Sequence, residues 1–324
     1  MRLLQGVLLA LLADGANACR SPRSGMLEQP AGELLLTAPF AAPRQSFFHA
    51  ALLVPPMETA RLLDPAAVYL RWSSNHSHSQ ERSRSGGIES LFDSEFHEWT
   101  AAELRWGALP GLELSLRSAV GGWDEVEDRF DLRDSSNKPI VRFEDALLRG
   151  EASRRHTNLT RVDLGARAAI LDLGASSTSA GVTWKLPVAR VRDLSNAGTH
   201  DLALTLFESL DLGAVVLQGN AGIVVPLTDQ KLFIPEARID LDRFWQSAIG
   251  ANWRLAPDLA LGLQVEANSS AFRSVPFLRR TPVTVVGGIR KLSGKLVLEA
   301  GAGAGLDTES SYGYAFFLSV GRYF

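Results

Sequence analysis

The chain has 324 residues and a formal net charge of −3, so nothing in its charge favours a nucleic-acid partner. Hydrophobic residues make up 46% and glycines number 28, a balance suited to a β-rich protein with many turns. A single cysteine excludes an internal disulfide, and the length admits one large β domain or two smaller ones.

Residues 1–18 read as an export signal. Arg2 supplies the positive start, "LLQGVLLALLA" the short apolar stretch, and Ala16, Asn17 and Ala18 the small residues of a cleavage site. The apolar run is too short to span a bilayer. Cys19 would then be the first mature residue, which raises lipidation of its thiol, although Ala16 stands where lipoproteins usually have Leu. Residues 19–65 form an N-terminal periplasmic or lumen-threading segment. Its "FAAPRQSFFHAALLVPPMETARLLDP" could thread a lumen as a plug or hold a first, irregular strand.

From residue 66 to 324 the sequence alternates. "LELSLRS" sets Leu112, Leu114 and Leu116 against Glu113, Ser115 and Arg117; "HDLALTLF", "GVTWKL", "LALGLQVEA" and "KLVLEA" behave alike. This period of two marks strands. About twelve are expected, over 66–74, 99–106, 112–120, 159–170, 178–186, 200–208, 212–224, 244–253, 259–268, 281–292, 295–306 and 312–324. Their connections alternate long and short: "NHSHSQERSRSGG", then "GALPG", then Gly121 to Asn158, then "DLGASS". Outer-membrane barrels have short periplasmic turns and longer external loops. No later run of 18 uninterrupted apolar residues exists. The expected fold is all-β: a transmembrane antiparallel up-and-down β-barrel in the outer membrane. The soluble alternative is a β-sandwich, since a small barrel has little interior room for so many leucines.

In a barrel the apolar face meets lipid and the other lines a lumen. The lumen-facing candidates are Arg71, Glu103, Arg105, Glu113, Arg117, Asp163, Arg167, Lys185, Glu266, Arg290 and Glu299, with Arg161 and Asp201 beside them. Their signs nearly balance, so they pair or are hydrated. Trp245 and Trp253 share one face, and Trp72, Trp99, Trp106 and Trp184 fall near strand ends, as interfacial aromatics do. In the longest loop Trp123, Val126 and Phe130 recur at near-helical spacing, which predicts a short amphipathic helix able to constrict or cap the mouth. His76 and His78 form a His-x-His pair, with His97 further on, but no third ligand is evident, so no metal or other cofactor is expected. His156 lies beside Thr157 and Thr160 without a nucleophile elbow or an ordered triad, so no catalytic residue is assigned.

The chain ends "YGYAFFLSVGRYF". Phe316, Leu318, Val320 and Phe324 resemble the C-terminal assembly signature of bacterial outer-membrane proteins, with Arg322 where an apolar residue is usual. Two further segments resemble an uncharacterised family of proteobacterial outer-membrane proteins, the domain of unknown function numbered 3187. The first carries Arg44, Gln45, Pro55, Pro56, Ala60, Arg61, Leu62 and Leu63. The second carries Gly121, Gly122, Asp124, Phe130, Pro139, Arg142 and Phe143, with "DLRDSS" replacing the family's Phe-Gly-Leu-Pro piece. The resemblance implies an outer-membrane barrel and supplies no catalytic residues. The expected partners are membrane lipid and the barrel assembly machinery; the sequence leaves oligomeric state open. The expected function is a passive or gated channel for small hydrophilic solutes. The alternatives are a filled barrel acting through its external loops and, behind both, a lipid-acting enzyme.

Overall fold

In the computed structural model the alternation becomes strands whose large apolar side chains point outward. On one of them Leu204 and Leu206 are 46% and 44% exposed, while Ala203 and Thr205, which alternate with them, are buried. The structure describes residues 31–40, 53, 56–85, 88–127, 131–133, 139–142, 158–186, 188, 199–227, 241–271, 283–306 and 314–324. The proposed signal, Cys19, Arg44, Gln45, Phe130, Phe143 and His156 lie outside them.

A short helix, α1 (Ala31–Leu36), precedes the strands. These are β1 (Val68–Ser85), β2 (Ile88–Leu109), β3 (Leu112–Glu127), β4 (Asp131–Arg133), β5 (Pro139–Arg142), β6 (Asn158–Asp172) and β7 (Ser176–Leu186). There follow β8 (Asp201–Asp211), β9 (Val215–Pro226), β10 (Phe244–Ala256), β11 (Leu259–Asn268), β12 (Val283–Ser293), β13 (Leu296–Gly305) and β14 (Tyr314–Tyr323). Twelve close into an antiparallel barrel, in which β14 pairs with β1 from Tyr69↔Tyr323 to His78↔Tyr314. Closure gives every barrel strand a neighbour on both sides, and beyond His78 β1 pairs with β2 alone. β4 and β5 form a separate two-stranded ribbon.

Tight turns gather at one end, with glycines where the backbone needs positive φ: Gly111, Gly174, Gly213 and Gly294, at 75°, 80°, 85° and 59°. Two share the sequence Asp-Leu-Gly-Ala. In each the Asp carboxylate accepts from the glycine N–H two residues on, Gly174 to Asp172 at 3.1 Å and Gly213 to Asp211 at 2.9 Å. The strand ends between which the longer connections run lie at the opposite end. Exposed Trp184 and Trp245 sit near that end, and exposed Trp72, Trp106 and Trp253 near the short turns.

Two expectations are corrected. The "NHSHSQERSRSGG" stretch is not a loop, because β1 and β2 run on through it as a paired hairpin, from Asn75↔Glu98 to Ser85↔Ile88. Nor does the Trp123–Val126 stretch form a helix. It belongs to β3, where Trp123 opposes Phe96 and Val126 opposes Ser94. A bulge at Glu95/Phe96 inserts one residue there, so a spacing of two plus one bulge residue mimics the helical spacing of three.

Candidate functional site

The inner face of the wall divides into a charged sector and an amide sector. Cross-strand register aligns Arg71, Glu103, Arg117, Asp163, Lys185 and Asp201 in a single row across β1, β2, β3, β6, β7 and β8. The sign alternates at every step, and directly opposed unlike charges attract. Arg71 bonds Glu103, and Lys185 Nζ lies 3.1 Å from Asp201. Arg161 reaches Asp163 at 2.9 Å. Toward the short turns, Arg105 forks onto Glu113 through Nε at 2.9 Å and Nη2 at 3.0 Å, and Arg167 donates to the same carboxylate at 2.5 Å. All but the half-buried Arg71 are buried, so their pairing offsets a desolvation cost of several kcal/mol per ion.

The amide sector lies on β9 to β13. Gln218, Asn220, Gln246, Asn252, Gln264 and Asn268 are buried there, with glycines between them. Its charges include the Arg290–Glu299 pair, Glu266 and, toward the short turns, Arg254, which pairs with Asp211 at 2.9 Å.

Residues 34–40, with Leu53 and residues 57, 59, 60 and 63, are buried among these inward side chains. Phe40 fits where the wall has no Cβ: one added at Gly262 would lie 2.4 Å from its ring, and one at Gly288 3.1 Å. Phe317 packs on the ring at 5.6 Å, and the Arg290 guanidinium lies 4.7 Å from its centroid. Gln264 grips the Phe40 backbone from both sides, accepting from its N–H and donating to its carbonyl, each at 3.0 Å. Arg290 also donates to the carbonyls of Leu36, Ala38 and Pro39, and Gln218 to that of Thr37 at 2.9 Å.

The charged sector holds the later part of the segment. Asp201 accepts from Leu53 N–H at 2.9 Å and Glu113 from Leu63 N–H at 3.0 Å. Arg167 donates to the Thr59 carbonyl at 2.7 Å and pairs with Glu58 at 2.8 Å. Thr59 and Ser209 hydroxyls meet at 3.1 Å. Asn220, its amide oriented by these partners, accepts from Glu58 N–H at 2.7 Å and donates to its carbonyl at 2.9 Å. Wall side chains thus hold backbone groups of the segment. Ala66, at φ 67°, then turns the chain into β1.

Of the lumen-facing candidates, ten are gathered into these paired clusters or, for Arg117, the alternating row. Glu266 is half-buried, accepts from Gln264 at 2.9 Å, and sits apart from them. Phe316, Leu318, Val320 and Phe324 lie on the outer face, 53%, 63%, 45% and 53% exposed. Sequence reasoning did not single out Phe40, Gln264, Gln218, Asn220 or the Thr59–Ser209 pair. A usable signal was the run of amides and glycines on the polar face of β9 to β12. A cavity of about 20 Å³ remains between wall and segment, bounded by Arg71, Arg105 and Arg290 on one side and Leu35, Pro39 and Met57 on the other. That is room for about one water.

No protein-family model matches the chain, and no curated protein matches it. Its fold is similar to that of an outer membrane channel from Pseudomonas putida F1. The TM-score is 0.61 at 14% identity, over 84% of this chain and 100% of that one. This likeness shows the fold. Weaker similarity extends to the NanC porin (TM-score 0.46, 9% identity, 78% of this chain and 97% of that one) and to the KdgM porin (0.43, 6%, 79% and 98%).

Proposed function

We propose that the protein is an outer-membrane β-barrel channel for small hydrophilic solutes, gated by its own N-terminal segment. The observation that carries this reading is the way the segment is held. Among the described residues 31–63, its bonds to the barrel are made by side chains, those of the wall and that of Arg61, which reaches Asp211 and the Gly174 carbonyl, and not by the β-ladder, so it can leave while the barrel stays closed. An apolar outer face this extensive requires lipid around it. The similarity to an outer membrane channel supports the same reading.

In this account residues 1–18 direct export, the short turns face the periplasm and the C-terminal strand engages the barrel assembly machinery. Membership of the uncharacterised outer-membrane family belongs to the proposal and is supported by the motifs quoted above. With the segment seated, the lumen is occluded. When it leaves, a wall of alternating charge and amides faces water, and a row of balanced signs favours hydrophilic solutes without strong charge preference. The nearly filled interior favours one second reading, a permanently filled barrel that acts through its external loops.

Recordings from the refolded protein in a planar bilayer separate the two. A gated channel gives discrete openings that scale with salt. A barrel shown to be folded by its heat-modifiable gel mobility, yet silent under all voltages, refutes the proposal.

A further inference from the structure

We propose that Glu266, Gln246 and Asn268 form a site for one monovalent metal cation, lined by the barrel wall and by Met57 of the N-terminal segment. Three observations converge on it. First, Glu266 is the exception among the described inward-facing carboxylates. Glu103, Glu113, Asp163, Asp201 and Glu299 each have a guanidinium or ammonium within 4.0 Å, and Glu266 has a single donor, the Gln264 amide at 2.9 Å. Second, the Gln246 Oε1 atom is buried and has no hydrogen-bond partner, while the amide nitrogen of the same side chain is committed to Thr205 at 3.3 Å. Gln246 is 7% exposed overall. Third, these groups line one cavity of about 10 Å³, with Met57 on its segment side.

Register explains the convergence. Gln246 opposes Asn268 directly, and Glu266 opposes Ala248, so the three side chains share one patch of the inner face of β10 and β11. Two of the donors nearby are already used: Gln264 bonds the Phe40 carbonyl and Glu266, and Asn220 bonds Glu58. The patch therefore offers a carboxylate and a neutral carbonyl oxygen, both short of a positive partner.

A buried acceptor left unsatisfied is unfavourable, and a carboxylate drawn out of water without a positive partner is more so. A small cation satisfies both. The patch has one carboxylate, so a single positive charge neutralises it. Calcium sites recruit six to eight oxygens, several of them from carboxylates, which this patch does not supply. The rival occupant is a proton, which would turn Glu266 into a donor toward Gln246. The site does not require conduction. Because Met57 of the segment lines it, the site is complete only when the segment is seated, and occupancy stabilises that seat.

The test uses the refolded full-length chain in detergent. Its thermal transition is followed in NaCl and in N-methyl-D-glucamine chloride at equal ionic strength, and crystals are soaked in thallium(I). The expected result is a Tm that rises with NaCl and saturates, no such rise in Glu266→Gln, and an anomalous thallium peak between residues 246 and 266. Should Glu266→Gln fail to fold, Gln246→Leu, which keeps the carboxylate, is expected to weaken the sodium dependence. Equal Tm in both salts with no thallium peak overturns the proposal. So does a protonated-carboxyl infrared band that Glu266→Gln abolishes, since it identifies the occupant as a proton.

Discussion

Replacing Phe40 with alanine tests whether the segment is a detachable gate or part of the barrel's core. The side chain is 1% exposed, packs on Phe317 at 5.6 Å and lies under the Arg290 guanidinium at 4.7 Å. Removing a buried phenylalanine ring costs about 3–5 kcal/mol, cavity included. If the cost falls on seating alone, the ratio of open to closed barrels rises tenfold for each ~1.4 kcal/mol, hence by about 10² to several times 10³. Single-channel open probability reads that ratio directly. The barrel's own unfolding, followed by heat-modifiable mobility, should hardly move, because no strand pairing involves residue 40. A large fall in barrel stability with no gain in opening would refute the reasoning and make Phe40 a core residue of a permanently filled barrel.

Other outcomes follow from the same contacts. Gln264→Ala leaves the Phe40 N–H and carbonyl without their wall partner, at about 1–3 kcal/mol per unsatisfied group, and should raise open probability tenfold or more. Glu113→Gln strips Arg105 and Arg167 of a shared carboxylate. It should destabilise the barrel itself by about 3–5 kcal/mol, seen as a lower urea midpoint of the gel-mobility transition. Leu206→Arg puts a charge on the outer face at a position 44% exposed. Near the bilayer midplane that costs about 2–4 kcal/mol, so the folded fraction in lipid vesicles should fall, whereas a water-facing Leu206 would tolerate the change.

The barrel was legible where one face meets an apolar medium. Leu112, Leu114 and Leu116 alternate with Glu113, Ser115 and Arg117, and the repeated Asp-Leu-Gly-Ala turns announce their own geometry. Legibility failed where strands run beyond that band. Residues 75–85 are almost uniformly polar, so β1 and β2 continue there on backbone pairing that leaves no periodic trace. At Trp123 a bulge broke the phase of two. The lumen charges were readable as a set, but their order was not. Arg117 meets Asp163 because β3 pairs with β6, which lies far along the sequence from it. The seat of the segment was hidden for a different reason. The wall grips mostly its backbone carbonyls and N–H groups, which every sequence carries, so only Phe40 and the facing glycines bear a residue-specific mark.

The most direct test of the gate is to lock it. The hydroxyls of Thr59 and Ser209 lie 3.1 Å apart, one on the segment and one on β8. Thr59→Cys with Ser209→Cys, in a chain whose single native cysteine Cys19 is replaced by serine, sets two thiols in reach of a disulfide. The account predicts that oxidation silences the channel in a planar bilayer and that a reductant restores its openings. Equal conductance in the oxidised and reduced states, with the disulfide verified by mass, would contradict it.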